Sequence, residues 1–265
     1  MNRLQEALER KAEYLIPYIM CGYPDLATTG EIIRCLAEEG VLAIEVGVPF
    51  SDPVADGPVI QAAGEHALKN GVTLSRVLEL GKKVRADGID VPLILFSYAN
   101  PVVHYGMERL VHEAVEHGFD GIIIPDLPYE ESIYLRKWGN EAGLSVIPLV
   151  APTSRERIKD IVSSAQGFVY CVSSLGTTGV RREFARQTES FLDTVRMMSP
   201  VPMAIGFGIS RREHVEHFLD HADAVVVGSA LVQKIGDLLP SLSDPSQREI
   251  GLVEIRQFVR GLKSE

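Results

Sequence analysis

Apolar runs of about six or seven residues recur roughly every 30 residues along this chain, each followed by an amphipathic stretch of helical period. That alternation limits the possible folds more than any other feature. The runs are "YLIPYIM" (14 to 20), "LAIEVGV" (42 to 48), "PLILFSY" (92 to 98), "GIIIPD" (121 to 126), "SVIPLV" (145 to 150), "FVYCVS" (168 to 173), "PMAIGFG" (202 to 208) and "AVVVGS" (224 to 229). Between them lie segments such as "EIIRCLAEEG" and "MERLVHEAVEHG", closing on the Gly that favours a helix end. Eight strand-helix units predict an α/β chain forming a closed (β/α)8 TIM barrel, with residues 1–265 as one domain. An open doubly wound sheet would call for a G-x-G-x-x-G turn after its first strand, and "GFGIS" at 206 to 210 lacks the third Gly. Two pieces are extra: an N-terminal helix before the first run, and "REIGLVEIRQFVRGLK" at the C-terminus, which can plug the barrel bottom or flank it.

Acidic residues outnumber basic ones 36 to 26 and no basic block exceeds a pair, so neither nucleic acid nor an anionic membrane is an expected partner. The three cysteines, Cys21, Cys35 and Cys171, have no metal or redox spacing and read as reduced core residues. The charged start "MNRLQEALERKAE" and the lack of an 18-residue apolar run point to a cytoplasmic chain.

In a barrel the chemistry sits at the C-terminal ends of the strands. Period two in the second run puts Leu42, Ile44, Val46 and Val48 toward the helices and Ala43, Glu45 and Gly47 inside. An inward carboxylate with no strand-borne Lys, Arg or His to pair with has its pKa pushed upward, the property of an acid-base catalyst. The loop that follows, "PFSDPVADGP", is stiffened by Pro49, Pro53 and Pro58. Asp52 reads first as a turn residue before Pro53; Asp56 reads equally as a helix N-cap or as a second carboxylate above Glu45. "GFGIS" and "VGSALV" end the last two runs, and Gly206, Gly208, Gly228 and Ser229 suit an anion held by backbone N–H groups at a helix start. "SSLGTTGVRREF" (173 to 184) has the composition of a lid. None of the eight lysines ends a strand, so a Schiff-base mechanism lacks its amine, and His214, His217 and His221 read as one solvent-facing helix side; no metal site is expected.

The strings "IEVGVPFSDPVADGPVIQ", "SYANPVVHYG", "IIIPDLPYEES", "LVAPTS", "GFGIS" and "VVVGSALV" occur in an order that resembles the tryptophan synthase alpha subunit, from Tyr18 to about residue 240. That resemblance implies cleavage of indole-3-glycerol phosphate to indole and glyceraldehyde 3-phosphate by retro-aldol acid-base chemistry, with no cofactor in this chain. It implies Glu45 as general acid and base and Asp56 as the carboxylate that accepts the indole N–H. Tyr18, Phe96, Tyr98, Ile123, Tyr170 and Phe207 would line or flank the substrate pocket, and Thr178 would be the lid residue nearest the catalytic loop. Gly179, Gly208, Gly228 and Ser229 would cradle the phosphate. It further implies a beta subunit partner carrying pyridoxal phosphate, an alpha2beta2 assembly, and contacts to it from Asp52, Pro53 and Asn100. The sequence departs from the family's usual pattern at Tyr23, Ser174 and Thr177, all in loops.

Overall fold

The computed structural model describes residues 2–172, 181–206 and 208–263. Its strands, all parallel, are β1 (Leu15–Met20), β2 (Ile44–Gly47), β3 (Leu93–Phe96), β4 (Gly121–Ile123), β5 (Ser145–Val146), β6 (Leu149–Val150), β7 (Val169–Val172), β8 (Met203–Gly206) and β9 (Ala224–Val227). They pair in the order β5-β4-β3-β2-β1-β9-β8-β7-β6. The two ends of that order are halves of one sequence run, "SVIPLV", so the sheet curls into the expected barrel. Pro148 divides the run because it has no N–H to give a ladder. The run still bonds to both sides, since Ile147 donates to the Ile122 carbonyl at 3.0 Å and the Pro148 carbonyl accepts from Tyr170 at 2.9 Å.

Apolar residues form two clusters. The outer one lies between strands and helices and holds Ile44, Val46 and Val48, as the alternation in the second run predicts. The inner one holds Ile16, Ala43, Ile94, Ile123, Ile147, Phe168, Ala204 and Val226 inside the barrel. Leu42, expected on the helix side, belongs to the inner cluster, because the regular strand begins only at Ile44. Leu4 and Leu8 of the helix Arg3–Arg10 join the same cluster, so the N-terminal helix is what closes the barrel bottom. Asn2 fixes it there: its side chain caps the helix by accepting from Gln5 N–H at 3.1 Å and donates to the carbonyls of Asp120 (2.7 Å) and Gly143 (2.9 Å).

The C-terminal helix Arg248–Leu262 takes the flanking position against the helix Leu26–Glu38. Burial of Leu252, Ile255, Val259 and Leu262 holds it. The ion pairs Arg248–Glu31, Arg256–Glu38 and Arg260–Glu39, each with one partner more than two-fifths exposed, add little beyond register.

The chain inserts two further helices, the first of them the one that Asp56 was a candidate to cap. Pro58–Lys69 follows the loop after β2 and precedes Leu74–Ala86; Ala99–Tyr105 follows β3 and precedes Met107–Glu116. Gly106, at φ +96°, turns the chain between the second pair in a conformation that a side chain would disfavour. Both inserted helices follow directly on strand-end loops, which places them at the rim where a barrel keeps its active site.

Candidate active site

Period two carries the site up from the inner cluster. Two residues beyond each of Ile16, Ala43, Ile94, Ile147, Phe168, Ala204 and Val226 stand Tyr18, Glu45, Phe96, Leu149, Tyr170, Gly206 and Gly228, and all seven line one cavity of about 520 Å³. In the β4 strand the corresponding step runs from Ile123 to Pro125. The barrel is thus apolar below and opens into a pocket one layer higher. Such a volume suits a small molecule.

Glu45 is 1% exposed, and its Oε1 has no hydrogen-bond partner among the described residues. Burial alone pushes its pKa up from 4.5 to about 8. Tyr18, in register with Glu45 on the neighbouring strand, meets Phe96 edge-on with ring centroids 5.4 Å apart. Its phenol occupies the space a side chain at Gly47 would need, with the hydroxyl 2.2 Å from where a Cβ would stand. Tyr170 does the same at Gly206, at 2.1 Å. Gly206 therefore has a packing reason to be small, the admission of Tyr170, besides the close approach of an anion that "GFGIS" suggests. Burial, with Glu45 nearby, raises the pKa of both phenols, so they stay neutral hydroxyls.

Asp56 lies in the loop over the same cavity and is half-buried. It does not cap the next helix: the N-cap of Pro58–Lys69 is Gly57, which makes no side-chain cap bond. Desolvation raises the Asp56 pKa, and a hydrogen bond from Tyr98 partly offsets this. Tyr98 is buried beneath the loop, packs on Phe50 with centroids 5.5 Å apart, and accepts from Ala55 N–H at 3.2 Å. It supports the Asp56 loop from below and is not part of the cavity wall.

Gly228 and Ser229 stand at the start of the helix Ser229–Asp237, and Gly208 has φ +62°, which favours glycine. A Cβ at Gly228 would lie 3.7 Å from Tyr18 Cβ and 3.9 Å from Ile60 Cδ1, in ordinary contact with both, so a small side chain fits there without a clash. The segments after β2 and β3 carry a rim of exposed groups: Asp52, bonded by the Ser51 hydroxyl, with Val54 81% exposed, then Asn100 with Val103 58% exposed. Asp126 takes the Ala99 N–H at 2.8 Å and so ties the β4 loop to the helix carrying Asn100. Among the described residues no group of three or more His, Cys, Asp or Glu is placed to hold a metal. His217 and His221 face Glu189 and Asp193 at 3.7 and 3.5 Å.

A model of the family described as tryptophan synthase alpha chain matches residues 4–262. The chain belongs to the tryptophan synthase alpha chain family. It is 48% identical to the tryptophan synthase alpha chain of Halalkalibacterium halodurans, with all of both chains covered, and 48% identical to that of Geobacillus kaustophilus over 93% of this chain and 92% of that one. Among solved structures it resembles the tryptophan synthase a2b2 complex from Pyrococcus furiosus (TM-score 0.83, 37% identity, 94% of this chain and 97% of that one). It also resembles a tryptophan synthase from M. tuberculosis (TM-score 0.82, 31% identity, 98% and 100% covered).

Of the positions singled out by likeness to the alpha chain family, Tyr18, Glu45, Asp56, Phe96, Tyr170, Gly208, Gly228 and Ser229 surround the one cavity. Ile123 lies a layer below, in the inner cluster. Asp52, Pro53 and Asn100 stand on the outer rim. Phe207, Thr178 and Gly179, with Ser174 and Thr177, lie outside the described residues. A search confined to polar strand ends and glycines overlooks the apolar wall formed by Ile60, Leu149 and Ile209. Position was the available signal for Leu149, since it is two residues past an inward-facing Ile147.

Proposed function

We propose that this chain is the alpha subunit of a tryptophan synthase, a lyase that splits indole-3-glycerol phosphate into indole and glyceraldehyde 3-phosphate. The observation that carries the reading is Glu45: a buried carboxyl whose Oε1 has no partner among the described residues, with a pKa near 8, facing a cavity that Asp56 overhangs. The carbon–carbon bond to ring atom C3 does not break as a bare carbanion leaves. Glu45 protonates C3, and positive charge develops on the ring nitrogen, whose N–H the Asp56 carboxylate accepts. The Glu45 carboxylate then takes the proton of the neighbouring glycerol hydroxyl. The carbonyl forms, the C–C bond breaks, and its electrons return to the ring and neutralise the nitrogen. The acid is regenerated, so proton and charge balance without a cofactor in this chain. Tyr18, Phe96 and Tyr170 supply the apolar walls for the indole.

Gly208, Gly228 and Ser229 hold the phosphate through backbone N–H groups, with Gly179 added to this cradle by family likeness alone; Thr178, likewise by likeness, is the lid residue nearest the catalytic loop. Replacing Gly228, which lines the cavity, with Leu extends a bulky side chain past the contact distance a Cβ would already reach and raises KM for the phosphorylated substrate by about tenfold, with a smaller change in kcat. Titration calorimetry with glycerol phosphate checks this, and unchanged affinity places the cradle elsewhere.

The partner is a beta subunit in an alpha2beta2 assembly, carrying pyridoxal phosphate and docked on the rim formed by Asp52, Pro53 and Asn100. Tyr98 gives the rim a route to the chemistry, because it begins the helix of Asn100 and bonds to the Asp56 loop. Docking that favours the aligned loop by ~1.4 kcal/mol raises turnover tenfold. Indole release is expected to climb as cognate beta subunit is added, and to climb less with Asn100→Asp, which sets a second carboxylate beside Asp126. A flat rate with a complex formed by sedimentation removes the coupling and leaves the lyase standing. No helix among the described residues is long and apolar enough to cross a membrane, and we place the reaction of this single-domain chain in the cytoplasm. Indole release from indole-3-glycerol phosphate by the purified chain, alone and with the partner, tests the assignment directly.

A further inference from the structure

The loop after β1 wedges between two helices that come from opposite ends of the sequence. The Tyr23 ring meets His66, on the helix Pro58–Lys69, edge-on with centroids 5.1 Å apart and planes at 80°. Its hydroxyl points the other way, against Gly236 on the helix Ser229–Asp237, where a Cβ would stand 2.8 Å from the phenol oxygen. The loop itself is well anchored. His66 Nε2 lies 2.9 Å from the Pro24 carbonyl, which makes that nitrogen the donor, and Asn70 Nδ2 donates to the carbonyls of Pro24 at 2.6 Å and Gly22 at 3.3 Å. Gly22 N–H donates to Thr29 Oγ1 at 3.0 Å. Each of the two helices starts at the cavity: one directly after Asp56 and Gly57, the other at Gly228 and Ser229.

We infer that Tyr23 is a positioning residue, a rigid spacer that sets how far the phosphate-cradle helix stands from the helix carrying the Asp56 loop. The inference rests on the cradle proposed above. Gly236 follows Ser229 by seven residues, close to two turns of 3.6, so the two lie on one side of their helix and a push at Gly236 is felt at the N–H donors. Donors of this kind work within about 0.5 Å of their productive position. Burial, with the Asp237 carboxylate beside it, raises the Tyr23 pKa, which keeps the spacer a neutral phenol.

The spacing makes a suppressor test possible. Gly236→Ala must open the 2.8 Å approach to the 3.4 Å of ordinary contact, a shift of about 0.6 Å. Ala is also the better helix former, so the helix itself is not weakened. In the double variant with Tyr23→Phe the oxygen is gone, and the nearest ring atom, Cζ, would stand 3.8 Å from the new Cβ. Glycerol phosphate affinity, measured by calorimetry on the full chain, is expected to fall about fivefold in Gly236→Ala and to return to within twofold of the Tyr23→Phe reference in the double variant. The thermal midpoint of Gly236→Ala should not fall. Equal affinity in wild type and Gly236→Ala, or a double variant as weak as Gly236→Ala, overturns the spacer role and leaves the cradle intact. Wild type that does not bind glycerol phosphate overturns the cradle reading itself, a separate result.

Discussion

Glu45→Gln is expected to lower turnover by ~10²-fold or more while leaving substrate affinity near that of the native chain. Gln keeps the volume and the hydrogen-bonding atoms but carries no titrating proton, so C3 of the indole loses its acid and the glycerol hydroxyl its base. Because Glu45 Oε1 has no partner among the described residues, the substitution breaks no bond at that oxygen to any of them. The native pH profile should carry the same signature. With a pKa near 8 the acid is about nine-tenths protonated at pH 7, and activity that depends on it declines above pH 8. Steady-state indole release over pH 6 to 9 checks both statements. Native-like turnover in Glu45→Gln would end the role assigned to this residue.

The same substitution should stabilise the fold at alkaline pH. A free Glu titrates at 4.5 and the folded one at about 8, so between those values the native chain holds a proton that the unfolded chain has released. Stability then falls as pH rises across that window and levels off above it, because the folded state must either bury a charge or keep a proton that solvent would take. The full difference is on the order of 5 kcal/mol, from a shift of roughly 3.5 pH units. Gln has no such slope. Urea unfolding at pH 6 and pH 9 is expected to show the native chain losing about 3 kcal/mol more than the variant, which becomes the more stable of the two at pH 9. Parallel pH dependence in the two proteins would mean that Glu45 does not hold its proton above the ordinary carboxylate range. Together the two results describe a residue that costs stability where it supplies chemistry, a common condition of buried catalytic acids.

The rim contacts and the spacer share a physical basis with these predictions. In each case a short inserted helix or a loop tip lies on the cavity at one end and on another element at the other. Tyr98 joins the Asn100 helix to the Asp56 loop, Asp126 holds Ala99, and Tyr23 stands between His66 and Gly236. Packed contacts of this kind transmit small displacements because they are not compressible.

Local periodicity was enough to reveal the eight-run alternation and the inward direction of Glu45, because side-chain direction along a strand depends only on residue count. The order of its motifs likewise suggested the family, since those strings are contiguous in the chain. What the sequence by itself left open were contacts between strands and loops far apart in the chain. Whether Asp56 capped a helix was decided by Gly57 taking that place. That Gly206 must be small to admit Tyr170, on the adjacent strand, was visible only in the fold. Leu42 turned inward because the strand began two residues later than its apolar run, and Ile123 fell one layer below the cavity while Pro125 reached it. The stagger between neighbouring strands, which sets the depth each residue occupies, follows from closure of the whole barrel rather than from any local stretch.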